Sequence, residues 1–144
     1  MLSLNGYRFS NGRSKFSDHV SGWPEPTAKV FVKVLFGSLD QSLMAQLDTG
    51  AAWSILAPDT AIAAHVPLRS DHPAVLHTRF GTKHGHLVRI PLTFVAEEGE
   101  SLETDGTFFI TPEWPDGLNF LGYSGLLDSL RFALDPQVNH FYFG

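Results

Sequence analysis

One carboxylate stands among residues that favour burial. Asp48 lies in AQLDTGAAWSI, residues 45–55, with apolar residues before and after it. A buried charge is destabilising unless it is paired, hydrogen-bonded or used in chemistry. Thr49 and Gly50 allow a sharp turn that would present the Asp48 oxygens at a cleft for general acid or base catalysis. In the alternative interpretation, Asp48 caps the turn by accepting backbone N–H bonds.

Histidine and serine residues suggest two other kinds of site. The pair His84-x-His86 could chelate a metal from one face of a strand, and His72 or His77 could join it. We expect no metal, because the chain has no Cys and no helical His-x-x-x-His pair. GYSGL, around Ser124, approaches the G-x-S-x-G pattern, which belongs to an α/β fold and does not fit this chain. Ser54 also lacks an evident His and Asp pair.

Short strands are expected to position these residues. Residues 28–37, AKVFVKVLFG, alternate between two faces, and GSLD then turns the chain into the return strand QSLMAQLD. APDTAIAAH predicts a short helix with Pro58 near its start. GLLDSL predicts about one helical turn. Two further strands are expected in PAVLHTRF and HLVRIPLTFVAEE, separated by a GTKHG turn. Another is expected in LETDGTFFI. The last two are expected in RFALD and HFYFG, which are joined by PQVN.

Composition limits the class of protein. The chain has 144 residues, of which 43% are hydrophobic and 17% charged, with a net charge of −5 and no basic cluster. We therefore expect one compact domain and no nucleic-acid partner. The number of predicted strands against one or two short helices makes this domain all-β. No apolar segment approaches the ~20 residues that span a bilayer. The first sixteen residues do not resemble a signal peptide, so the expected location is the cytoplasm. Residues 1–26 are interpreted as an N-terminal arm or extended segment and residues 27–144 as the domain.

Two separated motifs carry a family resemblance. D-T-G-A at residues 48–51 follows an apolar strand, and F-L-G at residues 120–122 precedes the short helix of GLLDSL. This pair, in this order and on an all-β background, resembles the retropepsin-like aspartic proteases, the single-lobe relatives of the pepsin-like enzymes. The resemblance covers residues 27–144 and implies a closed β-barrel of the acid-protease fold, peptide hydrolysis and no cofactor.

The resemblance implies a role for each matched residue. Asp48 would be the catalytic carboxylate, and Thr49 would hold the active-site loop through hydrogen bonds across a dimer axis. Gly50 would present its backbone to the substrate, and Ala51 would fit tightly beneath it. The segment that supports the loop would be Phe120, Leu121 and Gly122. The flap would be formed by Phe80, Gly81, Thr82, Lys83, His84 and Gly85.

A protease of this type requires two chains. Peptide hydrolysis needs two facing carboxylates that share a proton, and D-[TS]-G occurs once in the sequence. We therefore expect a homodimer with Asp48 from each subunit at the two-fold axis. The viral members carry an acid and an Arg where this chain has Ala52 and Tyr123, so the viral dimer geometry is not expected to carry over in full. A catalytically silent dimerisation or peptide-binding module of the same fold is the alternative.

Overall fold

The computed structural model describes residues 2–18, 29–79 and 81–144. These residues are mostly in strands, with one short α-helix and one 3₁₀ turn, so the all-β prediction is confirmed. The strands, in chain order, are β1 (Leu2–Leu4), β2 (Tyr7–Phe9), β3 (Gly12–Lys15), β4 (Val30–Phe36), β5 (Leu43–Leu47), β6 (Ser54–Ile55), β7 (Pro73–Thr78), β8 (Gly81–Phe94), β9 (Glu98–Gly99), β10 (Leu102–Ile110), β11 (Phe120–Leu121), β12 (Phe132–Asp135) and β13 (His140–Phe143).

The largest sheet closes on itself as a ring of paired strands. Its order is β10-β6-β11-β5-β4-β8-β7, and β10 also pairs with β8. The residues of strand β4 show how the sequence forms one wall of this ring. Val32, Val34 and Phe36 alternate along the strand and are fully buried, whereas the residues between them are half-exposed. β4 and β5 form the predicted antiparallel hairpin, with Val30 opposite Leu47.

The second sheet contains the chain end. Its order is β12-β13-β3-β9, and Phe141, Tyr142 and Phe143 of β13 are buried. The predicted hairpin between β12 and β13 is confirmed, and Asn139 in its turn has a φ of 54°. Strand β3, which lies within the predicted N-terminal arm, pairs with β13. Of the arm's aromatic residues, Phe9 and Phe16 are buried, Tyr7 is exposed, and Trp23 lies outside the described residues.

The helical predictions are confirmed. Helix α1 covers Pro58–Ala63 and has Pro58 in its first turn, where the missing N–H removes no intrahelical bond. The 3₁₀ turn covers Leu127–Ser129, inside the predicted GLLDSL segment. None of the helices in the described ranges is long and apolar enough to cross a membrane.

The predicted turn at residues 81–85 is wrong. GTKHG begins strand β8, and its residues pair with Ala74–Thr78 of β7. Thr78 pairs with Gly81, so the connection between the two strands is shorter than the sequence suggested. Gly81 has a φ of 109°, and its carbonyl accepts a hydrogen bond of 2.8 Å from the Thr78 hydroxyl. Gly81 therefore serves the tight connection, whereas Gly85 lies within the paired part of strand β8.

Candidate active site

Asp48 follows directly on the last residue of β5. Its backbone N–H donates to the Leu121 carbonyl at 2.9 Å, which fixes the start of the loop. Its side chain is half-buried, and Oδ1 accepts a hydrogen bond from the Gly50 N–H at 3.0 Å. The Ala51 N–H donates to the Asp48 carbonyl at 3.2 Å and closes the turn. Within the described part of the chain Oδ2 accepts no hydrogen bond, so this oxygen is available to a water or a second carboxyl group.

The two motifs that lie far apart in the sequence meet at this loop. Strand β11 lies between β5 and β6, parallel to the first and antiparallel to the second. Beyond β11, the Tyr123 N–H donates to the Ala51 carbonyl at 2.9 Å, and the Ser124 N–H donates to the Ala52 carbonyl at 3.0 Å. The loop that carries Asp48 is therefore held by backbone bonds to the segment that follows β11.

The close packing around Gly122 explains why the second motif ends in glycine. A Cβ placed on Gly122 would lie 2.4 Å from the carbonyl carbon and oxygen of Trp53 and 2.6 Å from the Ser54 nitrogen. Backbone atoms cannot yield as the end of a flexible side chain can, so only glycine fits this crossing. The Gly122 N–H also donates to the Ser54 Oγ at 2.8 Å, and both residues are buried. Ser54 thus holds the crossing together and is not placed as a nucleophile.

Asn119, which the sequence analysis did not single out, connects this crossing to helix α1. Its Oδ1 accepts a bond of 2.8 Å from the Ala57 N–H, and its Nδ2 donates to the Thr60 Oγ1 at 3.0 Å. Its carbonyl accepts a bond of 2.9 Å from the Gln46 N–H. Asn119 is buried, and these three bonds fix β11 relative to both β5 and α1. The sequence offered only one sign of this role, a lone amide side chain directly before two apolar residues.

The outer face of the loop is open to solvent. Thr49, Gly50 and Ala52 are exposed, and Ala51 is half-buried. Tyr123 is 52% exposed, although its backbone is bonded to Ala51. We call the surface formed by Thr49, Gly50, Ala52 and Tyr123 the loop face.

The hairpin of β7 and β8 holds the flap candidates. Strand β10 ends at Ile110, opposite His86, so the hairpin residues before His86 on β8 project past the end of β10. A Cβ on Gly85 would lie 2.2 Å from the Ile110 carbonyl oxygen, so β8 crosses the end of β10 in close contact. Lys83 forms an ion pair of 4.0 Å with Glu113, and Thr82 contacts the His77 Nδ1 at 3.2 Å. Phe80 lies outside the described residues.

A groove of about 750 Å³ lies at the base of this hairpin. Val75, His84 and His86 contribute to its wall, together with Arg69 and Pro112, and Asp48 does not. In the described ranges no group of three His, Asp or Glu side chains is arranged to hold a metal ion. The groove therefore lies apart from the candidate carboxylate.

The chain matches no protein-family model and no curated protein sequence.

Proposed function

We propose that this protein is an aspartic endopeptidase of retropepsin type that acts as a homodimer, each subunit contributing one Asp48. The observation that supports this most strongly is the joining of the two motifs. β11 lies against β5, Gly122 crosses the loop backbone, and Asp48 is left with one oxygen fixed and the other open. A carboxylate on so rigid a support is what general acid and base catalysis requires.

In the proposed reaction two Asp48 carboxyl groups share one proton. Like charges this close cannot both ionise, so one group remains protonated. The ionised carboxylate removes a proton from water, whose oxygen attacks the peptide carbonyl carbon. The protonated carboxyl gives its proton to the carbonyl oxygen. The tetrahedral intermediate then breaks its C–N bond, and the leaving nitrogen takes the proton that the first carboxylate had received. One hydroxyl group of the intermediate returns its proton to the second carboxylate as the carboxylic acid forms, which restores the shared proton.

The neighbours of Asp48 have supporting roles in this proposal. Gly50 holds Oδ1 through its N–H, and Thr49 and Ala51 shape the loop. Phe120, Leu121 and Gly122 support the loop from below. The β7–β8 hairpin serves as the flap. The proposal includes a peptide or protein substrate, a cytoplasmic location and no nucleic-acid or cofactor requirement.

A second candidate function is a catalytically silent module of the same architecture. The bond from the Gly50 N–H to Oδ1 favours it, because a turn cap explains Asp48 without any chemistry. The groove beside the hairpin, which Asp48 does not line, would then be the peptide-binding surface.

Peptide cleavage by the wild type and by Asp48→Asn separates these two functions. For the protease we expect cleavage of a peptide library with a bell-shaped dependence on pH, between about pH 3 and about pH 7, and an optimum on the acid side of neutral. Asp48→Asn should fold normally and lose this activity, because the amide keeps the shape but cannot exchange a proton. Cleavage by a folded Asp48→Asn protein, or a flat pH profile, would contradict the proposal.

A further inference from the structure

The groove at the base of the β7–β8 hairpin contains two histidines on one face of a strand. His84 and His86 alternate along β8 and therefore point to the same face, with α-carbons about 7 Å apart. On β7, Val75 lies opposite His84 and Pro73 lies opposite His86. These four side chains thus form one patch, in which each imidazole has an apolar neighbour across the strand pair.

Arg69 adds a permanent positive charge to this groove. It is exposed, lies before β7 in the chain, and lines the groove together with Leu68 and with Pro112 beyond β10. Arg69, His84 and His86 form no ion pair with any residue that the structure describes. None of the described lining residues is Asp or Glu, although acidic residues outnumber Lys and Arg by 15 to 10 in the whole chain. These three side chains are therefore available to an anionic group from outside the chain.

The ionisable groups around the patch do not neutralise it. Glu113, which follows Pro112 in the chain, is paired with Lys83 at 4.0 Å. Asp71 is exposed and forms no ion pair within the described ranges. The other titratable neighbours are imidazoles, since His72 lines an adjacent groove and the His77 Nδ1 contacts Thr82. Imidazoles gain positive charge in acid, so these surroundings become more positive as the pH falls.

The groove also has the size and the apolar walls of a ligand site. Its volume of about 750 Å³ lies within the range of about 300–1,000 Å³ that is typical of ligand sites. Val75 is 45% exposed, so a ligand would cover apolar surface as well as meet positive charge. An extended peptide that carries both acidic and apolar side chains matches these two features.

We infer, on the basis of the proposed function, that this groove selects peptide substrates with acidic side chains, which it binds through Arg69, His84 and His86. Histidine gains positive charge as the pH falls from about 8 to about 5, whereas Asp and Glu in a peptide remain ionised down to about pH 4.5. Binding therefore strengthens on the acid side of neutral, where the proposed pair of carboxyl groups works. Asp48 does not line the groove, so the acidic side chain of the substrate lies away from the bond that is cut.

Binding to a variant that cannot cleave tests the groove apart from catalysis. The probe is a short labelled peptide of alternating Glu and Val residues, and its counterpart has Gln in place of Glu. Both peptides are titrated with the Asp48→Asn protein, and fluorescence anisotropy is measured at about pH 5.5 and about pH 8 at constant ionic strength. At the lower pH we expect the Glu peptide to bind about fivefold more tightly than the Gln peptide, since each exposed charge pair contributes a factor of up to about five. At the higher pH the preference should shrink to about twofold, because only Arg69 remains charged.

Substitutions added to Asp48→Asn locate the preference in the groove. His84→Gln together with His86→Gln should remove the gain in affinity at low pH and leave binding at about pH 8 unchanged. Arg69→Gln should weaken binding of the Glu peptide at both pH values. Circular dichroism measures folding, and Arg69→Gln, which lies outside the hairpin, still tests the groove should the double histidine variant fail to fold.

Arg8→Gln and His65→Gln are the matched controls. They remove the same kinds of charge from exposed residues that line other grooves, so the Glu peptide should bind as tightly as it does to Asp48→Asn alone. A loss in these controls as large as that in the groove variants would overturn the inference, because the overall charge of the protein would then be the cause.

The remaining results separate the groove from the catalysis. Equal binding of the two peptides at about pH 5.5 would overturn the inference, as would an unchanged preference in the folded groove variants. The expected binding combined with no peptide cleavage by the wild type would support the groove and contradict the protease. Cleavage by the wild type without any preference for acidic peptides would support the protease and overturn the groove.

Discussion

At the scale of single residues, Gly122 sets the tightest constraint on the candidate site. Its α-carbon passes so close to the backbone of Trp53 and Ser54 that a methyl group has no room. The same residue donates a buried hydrogen bond to Ser54. Any side chain at position 122 must therefore separate β11 from the loop that carries Asp48.

Gly122→Ala should lower the free energy of unfolding by about 2 kcal/mol or more, since a methyl group forced against backbone atoms acts as overpacking. Chemical denaturation measures this change. Gly6→Ala is the control: Gly6 has a φ of 84° but no atom within 4 Å of an added Cβ, so it carries backbone strain without crowding and should lose only about 1 kcal/mol. Equal losses in the two variants would show that crowding at the crossing is not the cause.

The sequence located Asp48 and the F-L-G segment because both are short, local patterns. The structure brings the two segments together, because β11 pairs with β5. Asn119 was missed for a physical reason. Its partners, Ala57 directly before helix α1 and Thr60 within it, lie far away in the chain, and a single amide gives no local sign of contacts at that distance.

At the scale of elements, Glu97 connects two strands, β3 and β4, that both lie far from it in the sequence. Its Oε2 accepts a bond of 2.9 Å from the Lys15 N–H at the end of β3, and its Oε1 accepts one of 3.2 Å from Lys33 on β4. The bond from the Lys15 N–H, with a smaller contribution from Lys33, holds the pKa of Glu97 below its ordinary value. Glu97 therefore links the second sheet to the ring.

This pKa shift predicts a loss of stability in acid. A carboxyl whose pKa is lower in the folded state stabilises the fold above its unfolded pKa of about 4.5, and this contribution is lost as the pH falls through the folded pKa. Glu97→Gln should thus be less stable than the wild type at neutral pH, and the difference should shrink below about pH 4.5.

Urea midpoints at about pH 3 and about pH 7 measure this difference. Glu103→Gln is the control, because Glu103 is exposed on β10 and forms no ion pair with the residues that the structure describes. If Glu103→Gln changes the pH dependence as much as Glu97→Gln does, the Lys15 and Lys33 contacts are not the cause.

The elements themselves were mostly predictable. Alternation predicted β4, and Pro58 predicted the start of α1. The turn predicted at residues 81–85 was wrong because glycine was taken as a turn signal at both positions. Gly85 instead meets a steric need, since a Cβ on this residue would lie 2.2 Å from the Ile110 carbonyl oxygen. A glycine needed for close approach and a glycine needed for a turn look alike in a single sequence.

At the scale of the whole molecule, composition and alternation predicted an all-β chain, and the structure agrees. The pairing of the two chain ends could not be predicted from the sequence. Strand β3 occupies the side of β13 that the β12 hairpin leaves open, so β13 is an inner strand of its sheet. Nothing local in Gly12–Lys15 specifies a partner so far along the chain. The ring is likewise closed by β10 pairing with both β6 and β8.

The central claim is that one active site contains an Asp48 from each of two chains, and subunit mixing tests it most directly. Wild type and Asp48→Asn are combined in varying proportions at constant total concentration, and peptide cleavage is measured after subunit exchange. If both carboxylates are required, only dimers of two wild-type chains are active. Activity should then follow the square of the wild-type fraction, falling to about one quarter in an equal mixture. A linear fall, to about one half, would contradict the claim, because each chain would then be active on its own.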